Sequence, residues 1–287
     1  MKPKQIFFMG TGTVGRECLK ILKNATDVPI EYLTVESEPI PTMEPLCRKL
    51  GILCRNLSSI EVKNLLMQQE LETLIISAHN EYIFPKEVVK QHNVRLINFH
   101  NAYLPNYRGR NAPTWEIYEG AAYGGATWHE VEASIDTGGI IVQERVPIEN
   151  VETALSLLMK CAKAGIKLMR ENVGEFLGGD YLARSAEKKG RLYLAKELPN
   201  GGYLDTTWDM EQAYRFLRSM DYSPMNILPL PRVRLGDKVY GIEGYNLQKR
   251  QMFRKGERDS LKIQAWDGSL ELVCNLREIK EIPLTDE

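Results

Sequence analysis

The chain has 287 residues, enough for one large domain and a smaller one. Lys plus Arg number 37 against 38 Asp plus Glu, a net charge of -1, and the 43% hydrophobic, 26% charged balance excludes a disordered or fibrous chain. The balanced charge argues against a long nucleic acid as partner. No apolar run reaches the roughly 18 residues that cross a bilayer, so we expect no membrane segment and a cytoplasmic protein. The five scattered cysteines predict neither a disulfide framework nor a metal site.

The first half of the chain alternates short apolar runs with helical periodicity. This pattern predicts an α/β fold, a Rossmann-like and mostly parallel sheet with helices on both faces. The predicted strands are 6–9, 30–35, 74–77 and 94–99, and the predicted helices are 14–24, 44–50, 60–69 and 85–91. The extended pattern at 125–147 predicts a β-hairpin, and a long amphipathic helix is expected at 151–176.

The character of the sequence changes after the Gly178-Gly179 pair and a charged run at 187–191. One helix, 210–218, is followed by short β patterns at 233–235, 239–245, 261–266 and 270–274, with an Asp267-Gly268 turn before the last. We therefore predict a large domain at 1–180 and a smaller β-rich C-terminal domain at 191–287.

A glycine-rich loop follows the first predicted strand. Gly10-x-Gly12-x-x-Gly15 opens a helix, and Glu36 ends the second strand where a ribose-binding acid would stand, which is typical of a dinucleotide site. The physics is more general, because glycine N–H groups and a helix N-terminus hold any phosphate. The loop alone leaves NAD, another phosphate or a purely structural turn open.

The fourth predicted strand ends in residues that suit acyl transfer. Strand alternation puts Asn98 and His100 on the same side, and Asp136 follows on a glycine-bounded loop. An imidazole can exchange a proton near neutral pH, a carboxamide can donate to a developing oxyanion, and a carboxylate can orient the imidazole. None of these steps needs a metal. Each residue is also common in turns and strand ends, so a structural role stays open for each.

The ordered set of motifs resembles the 10-formyltetrahydrofolate-dependent formyltransferases. It comprises Asn98-x-His100, Leu104-Pro105-x-x-Arg108-Gly109, Trp115, Gly125-x-Thr127-x-His129 and Asp136-x-Gly138-x-Ile140. That family includes glycinamide ribonucleotide transformylase, methionyl-tRNA formyltransferase and the sugar N-formyltransferases. The resemblance covers about residues 1–180 and implies that this is the catalytic domain, with Asn98, His100 and Asp136 as the catalytic residues.

The resemblance also implies a formyl donor and the residues around it. Attack of an amine on the formyl carbon of 10-formyltetrahydrofolate would place negative charge near Asn98 and His100, with Asp136 holding His100. The donor pocket would be formed by His79, Asn80, Tyr82, Ile83, Phe84, Leu104, Pro105, Asp136, Thr137, Gly138 and Gly139. The glycine loop would face the acceptor instead of NAD, so the implied acceptor-binding residues are Gly10, Thr11, Gly12, Thr13, Arg108, Gly109 and Arg110. For Trp115 and His129 two interpretations stay open: a functional role in the site, or packing beneath it.

The segment after the second predicted strand narrows the choice of acceptor. Methionyl-tRNA formyltransferases carry a long basic insertion there, whereas residues 36–45 of this chain are short and acidic. We therefore expect a small-molecule amine, with a nucleotide-linked amino sugar favoured. A small or carrier-bound amino acid such as hydroxyornithine is the alternative, and methionyl-tRNA is less favoured. An NAD-dependent oxidoreductase and a noncatalytic ligand-binding relative are the alternatives of a different class. A homodimer is compatible with the C-terminal domain.

Overall fold

The structure is a computed structural model that describes residues 2–35, 43–185, 190–249, 260–264 and 270–279. Its contacts define two compact units. Unit 1 comprises Met1–Ala112, Tyr123–Pro147 and Leu158–Tyr193, and unit 2 comprises Pro113–Ala122, Ile148–Leu157 and Leu194–Glu287. Two segments of unit 2, 113–122 and 148–157, belong to the large domain in the sequence-based division, and the division at 180 and 191 stays a prediction. None of the described helices combines the length and apolarity that spanning a membrane requires.

Unit 1 is built on a seven-stranded sheet. Its strands are β1 (Gln5–Gly10), β2 (Ile30–Val35), β3 (Leu53–Leu57), β4 (Thr73–Ala78), β5 (Val94–His100), β7 (Tyr123–Glu130) and β8 (Ile140–Pro147); the short β6 (Arg108–Gly109) lies outside it. The order is β3-β2-β1-β4-β5-β7-β8. The first five strands in this order are parallel, while β7 and β8 form the antiparallel hairpin. The predicted α/β fold is confirmed.

The first six helices along the chain include five that were predicted and one, at Ala112–Tyr118, that was not. They are α1 (Gly12–Ala25), α2 (Glu44–Leu50), α3 (Ser59–Met67), α4 (Lys86–Val89), α5 (Ala112–Tyr118) and α6 (Ala154–Gly178). β4 is buried at every position, because a central strand of a parallel sheet is covered on both faces. Strand β3 was not predicted: Arg55 and Asn56 are exposed, as expected for a strand at the edge of the sheet.

The strand order reverses between β1 and β4, which places a crevice outside the carboxyl ends of these strands. In open α/β sheets this switch point is where ligands bind. Gly10 lies opposite Ala78 here, and a Cβ at Gly10 would overlap the Ala78 carbonyl. Glycine at this position therefore allows the two strands to approach each other at the mouth of the crevice. Glu36, the predicted ribose-binding acid, lies outside the described residues.

Unit 2 contains a five-stranded sheet and one long helix. The strands are β10 (Tyr203–Leu204), β11 (Arg232–Leu235), β12 (Lys238–Lys249), β13 (Ser260–Gln264) and β14 (Leu270–Ile279), in the order β10-β11-β12-β14-β13. Helix α7 (Met210–Met220) starts at a capping box in which Asp209 accepts the Gln212 N–H, and it buries Phe216 and Leu217 against the sheet. The β-rich C-terminal region is confirmed, while the predicted Asp267-Gly268 turn lies outside the described residues.

One carboxyl group is buried in unit 2 in an unusual setting. Glu116 on α5 is completely buried, and neither of its carboxyl oxygens has a hydrogen-bond partner among the described residues. Burial raises the pKa of Glu116 well above its usual value. Burial also raises the pKa of Tyr222 to about 12, with the Glu116 charge adding to the effect. Burial therefore favours the neutral, protonated form of Glu116 over its charged form.

We expect Glu116→Gln to stabilise the protein at pH 8 relative to wild type, because on folding the Glu116 carboxyl must either take up a proton or bury a charge, and Gln needs neither. Since the folded pKa is raised, Glu116 favours folding below its unfolded pKa of about 4.3, and that contribution is lost as the pH rises towards the folded pKa. Urea unfolding at pH 5 and pH 8 measures this difference. Glu119→Gln, at an exposed position, is the control. A difference between Glu116→Gln and wild type that is the same at both pH values would contradict the assignment.

Candidate active site

The site begins where β4, β5 and β7 lie side by side. Asn98 of β5 is paired with Ser77 on one side and His129 on the other. The Ser77 Oγ donates to Asn98 Oδ1 at 2.7 Å, and Asn98 Nδ2 lies 3.2 Å from His129 Nε2. The carboxamide is therefore oriented from both neighbouring strands. This orientation presets a donor group before any ligand binds.

Asp136 lies on the loop between β7 and β8 and connects the other groups. Its Oδ2 accepts the Gly109 N–H at 2.8 Å and lies 3.5 Å from His100 Nδ1. Its Oδ1 lies 3.4 Å from His129 Nε2. The structure thus brings Asn98, His100 and Asp136 into one cluster, joined by a second imidazole.

The electrostatics of Asp136 favour its ionised form. Burial alone raises the pKa of the carboxyl group, but the charge on His100, the hydrogen bond and charge of His129 and the Gly109 N–H act in the opposite direction. The net result is a pKa well below the usual range. Asp136 is therefore a carboxylate at neutral pH and can hold a positively charged imidazole.

His100 is 7% exposed and has an acceptor on each side of its ring. Its Nε2 donates to the Tyr107 carbonyl at 2.8 Å, while Nδ1 faces the Asp136 carboxylate. A neutral imidazole has one N–H, whereas two acceptors require two. The arrangement therefore suits the imidazolium form, whose positive charge can stabilise negative charge on a reacting group.

Four residues around this cluster have left-handed backbone conformations that non-glycine residues rarely adopt. His79, Tyr107, Asn111 and Asp136 have φ angles of 56°, 54°, 56° and 50°. Such residues cost about 1–2 kcal/mol each, and they persist where surrounding contacts hold them, often at functional sites. Among the described non-glycine residues, Asn200 in unit 2 is the one other example. The strain is thus concentrated in the loops that carry the site.

The predicted donor-binding run 79–84 follows β4. Burial lowers the pKa of His79, with the His100 charge adding to the effect, and its ring contacts the Asn101 carboxamide. The Thr11 N–H and hydroxyl both donate to the His79 carbonyl, at 3.1 and 3.0 Å, which joins the glycine loop to β4. Asn80 Oδ1 accepts the Tyr82 N–H at 3.1 Å.

The side chains in the rest of this run point in different directions. Tyr82 and Phe84 form an edge-to-face pair and pack on the core, whereas Ile83 is 70% exposed. The role of all five predicted residues of the run in donor binding stays a prediction.

A cavity of about 160 Å³ opens beside Asp136. An engineered cavity of about 150 Å³ can hold benzene, so this volume admits a planar ring. Five of the predicted donor-binding residues are among those that line the cavity, which is formed by Leu104, Pro105, Arg108, Glu132, Asp136, Thr137, Gly138, Ile140 and Ser185. The volume and the mixed apolar and polar walls therefore admit one flat ring with hydrogen-bonding edges.

Among the predicted acceptor-binding residues, Arg108 uses its side chain to bind backbone carbonyls of the protein itself. Its Nε donates to the Gly190 carbonyl at 2.9 Å and its Nη1 to the Ile135 carbonyl at 3.2 Å. These bonds fasten the loop that carries Asp136. Arg110 is exposed and lies 3.7 Å from Glu81.

The other predicted acceptor-binding residues either make contacts through their backbone or lie at the switch point. Gly109 uses its N–H on Asp136, while Gly10, Thr11, Gly12 and Thr13 lie at the switch point and the start of α1. Their contacts with an acceptor stay a prediction.

Several groups of this site were not predicted from the sequence. The sequence does not indicate the contacts of Ser77, the Tyr107 carbonyl and the Gly109 N–H with this site, and for His129 it leaves both packing and function open. The alternation of Thr127 and His129 on one face of β7 was the available signal, but it shows the contact only once the pairing of β5 with β7 is known.

The fold and the site together define a group-transfer enzyme of the α/β class. The family model described as formyl transferase matches residues 23–173, more than half of the chain, and the chain belongs to this family. The match includes β5, the β7–β8 hairpin and the loop that carries Asp136.

Two curated relatives differ in acceptor. A GDP-perosamine N-formyltransferase from Brucella melitensis is 32% identical over 180 residues, covering 62% of this chain and 67% of the relative. A methionyl-tRNA formyltransferase from Fusobacterium nucleatum is 27% identical over 187 residues, covering 63% of this chain and 59% of the relative. Among solved structures, an N-formyltransferase from Helicobacter canadensis in complex with folinic acid and dTDP-3-aminofucose matches with a TM-score of 0.74 at 14% identity, covering 95% and 99% of the two chains. That likeness concerns the fold.

We expect His129→Gln to lower kcat for formyl transfer roughly tenfold with KM little changed, because the ring holds Asn98 and Asp136 in place without reaching the cavity. Steady-state kinetics with the formyl donor varied measures both constants. His92→Gln, at an exposed position, is the control. An unchanged kcat for His129→Gln would show that the contacts of this ring are packing only.

Proposed function

We propose that the protein transfers the formyl group of 10-formyltetrahydrofolate to the amine of a nucleotide-linked amino sugar. The observation that carries the proposal is the cluster of Asn98, His100 and Asp136 beside the cavity. The GDP-perosamine relative and the dTDP-3-aminofucose complex support the choice of acceptor. The folinic acid in that complex supports the choice of donor.

The donor, when bound, supplies a formyl carbon that a neutral amine attacks: a C–N bond forms, the bond to N10 breaks, the amine nitrogen loses a proton and N10 gains one. Asn98 Nδ2 is a donor for the negative charge that develops on the formyl oxygen, and the His100 imidazolium stabilises that charge electrostatically. The Asp136 carboxylate holds His100 through Nδ1 and stabilises its positive charge. Leu104, Pro105 and Thr137, which line the cavity, would hold the pterin.

The acceptor would enter from the switch point. Gly12 and Thr13 of the Gly10–Gly15 loop carry backbone N–H groups at the start of α1, where the positive end of the helix dipole favours a diphosphate. The same loop fits an NAD phosphate by sequence, but the family match and the Asn98, His100 and Asp136 cluster support formyl transfer. The near-neutral charge and the acidic residues 36–45 disfavour tRNA as the acceptor.

Incubation with 10-formyltetrahydrofolate and a panel of amines tests the proposal. The panel holds GDP-perosamine, dTDP-3-aminofucose, hydroxyornithine and methionyl-tRNA, and mass spectrometry detects the added formyl group. We expect a product with an amino-sugar nucleotide. A formylated product with hydroxyornithine alone would show that the acceptor is an amino acid and not an amino-sugar nucleotide. A protein that binds NAD but no folate in calorimetry would contradict the proposed formyl transfer. A homodimer and a cytoplasmic location are parts of the proposal that light scattering and cell fractionation test.

A further inference from the structure

A short strand that lies outside the part of the chain matched by the family model pairs with a segment of the loop after β5. Strand β9 (Leu192–Tyr193) pairs in parallel with β6. The N–H groups of Arg108 and Arg110 donate to carbonyls of residues 191 and 193 at 3.2 and 2.9 Å. We refer to residues 190–193 as the strap. The strap lies outside residues 23–173 that match the family model, so the family motifs do not account for it.

The strap also contacts the residue whose carbonyl holds His100. Tyr107 has the left-handed φ of 54°, and its ring stacks on Tyr193 of the strap with centroids 5.9 Å apart and planes 16° apart. Tyr193 is 3% exposed, and the Arg191 guanidinium lies 4.5 Å from the centroid of its ring. The Tyr107 carbonyl accepts the N–H of His100 Nε2 at 2.8 Å. One residue thus joins the stacked ring to the imidazole.

A left-handed conformation at a tyrosine persists only where neighbouring contacts hold it. Here the contacts are the strap pairing on the residue after Tyr107 and the ring stack on Tyr107 itself. Without the stack, Tyr107 can return to an ordinary backbone conformation, which turns its carbonyl away from His100. The imidazole then loses the acceptor that keeps Nδ1 facing Asp136.

We propose that Tyr193 is a positioning residue for formyl transfer: through its stack on Tyr107 it keeps the Tyr107 carbonyl on His100 Nε2. This proposal rests on the proposed function for its kinetic consequence, but the orientation of His100 is a property of the protein alone. Tyr193 acts through Tyr107 and does not touch the reacting atoms. The last strand of unit 1 would therefore orient His100, which lies about 90 positions earlier in the chain.

The test compares Tyr193→Ala with Tyr193→Phe, which keeps the ring. Proton–nitrogen NMR of the four histidine rings, assigned with His→Gln variants, reports the N–H of His100 Nε2 without any ligand. We expect that signal to be retained in Tyr193→Phe and to be shifted or lost through exchange in Tyr193→Ala. With 10-formyltetrahydrofolate and the acceptor found in the panel above, we expect kcat of Tyr193→Ala to fall roughly tenfold or more, with KM for the donor within about twofold of wild type.

Tyr203→Ala is the matched control, because this tyrosine of unit 2 also lies under an arginine, Arg232. It should change neither the His100 signal nor kcat. A His100 signal in Tyr193→Ala that equals wild type would overturn the positioning role, whether or not any acceptor is formylated. A changed signal with an unchanged kcat would overturn its importance for transfer. An inactive wild-type protein whose His100 signal still depends on the Tyr193 ring would keep the structural link and reject the proposed function.

Discussion

Replacing Asp136 with Asn is expected to lower kcat/KM for formyl transfer by about a thousandfold, or about 4 kcal/mol of transition-state stabilisation. The carboxylate faces His100 and His129 and accepts the Gly109 N–H, so the variant loses a negative charge at the centre of the cluster. An Asn amide can keep the Gly109 contact through its oxygen, but it has no charge to stabilise an imidazolium. Steady-state kinetics with the acceptor in excess measures the loss.

Asp180→Asn, at an exposed position, is the control for the charge change. Wild type and Asp136→Asn can also be compared in stability as a function of pH. Because the folded pKa of Asp136 is lowered, its contribution to stability is fully present above the unfolded pKa of about 3.9 and is lost as the pH falls towards the folded pKa. The stability advantage of wild type over Asp136→Asn should therefore shrink below about pH 4. An Asp136→Asn enzyme with more than a tenth of wild-type activity would contradict the central role of the carboxylate.

Replacing His100 with Gln is expected to lower kcat about a hundredfold to a thousandfold. Gln can place a donor near the former Nε2 position, but it cannot carry the positive charge that the Asp136 carboxylate favours. Kinetics across a pH series measures the effect. The His92→Gln variant, in which an exposed histidine is changed in the same way, controls for general damage.

Circular dichroism should show that His100→Gln keeps the wild-type fold, since the ring makes polar contacts at a strand end. Loss of donor binding in proportion to the loss of kcat would argue against a role in the transition state. Retention of wild-type kcat would contradict the proposed charge on His100.

The sheet was largely predictable because its central strands are continuous apolar runs. Strand β4 is buried at every position and β2 was predicted with its observed bounds, Ile30–Val35. Strand β3 was not predicted because an edge strand can carry exposed polar residues, which hide the apolar pattern of a strand. The recruitment of residues 148–157 to unit 2 depends on long-range contacts such as the bond from Leu155 N–H to the Asp221 carbonyl, which local patterns do not encode.

The site was predictable where side-chain chemistry marked it and unpredictable where it depends on backbone atoms or strand pairing. Asn98 and His100 follow from alternation on one strand, and Asp136 stood out on its glycine-bounded loop. The contact of His129 with Asn98 needs the pairing of β5 with β7. The Tyr107 carbonyl is available to any residue type, so nothing in the sequence marks its contact with His100.

Transfer of an isotope-labelled formyl group tests the proposed reaction most directly. The protein is incubated with 10-formyltetrahydrofolate carrying ¹³C in the formyl carbon and with GDP-perosamine or dTDP-3-aminofucose, and carbon NMR of the purified sugar nucleotide is recorded. We predict a ¹³C formamide signal on the amino sugar with wild type and a rate about a thousandfold lower with Asp136→Asn. A label that stays on the folate with every amine, or a transfer rate that Asp136→Asn leaves unchanged, would contradict the proposed reaction.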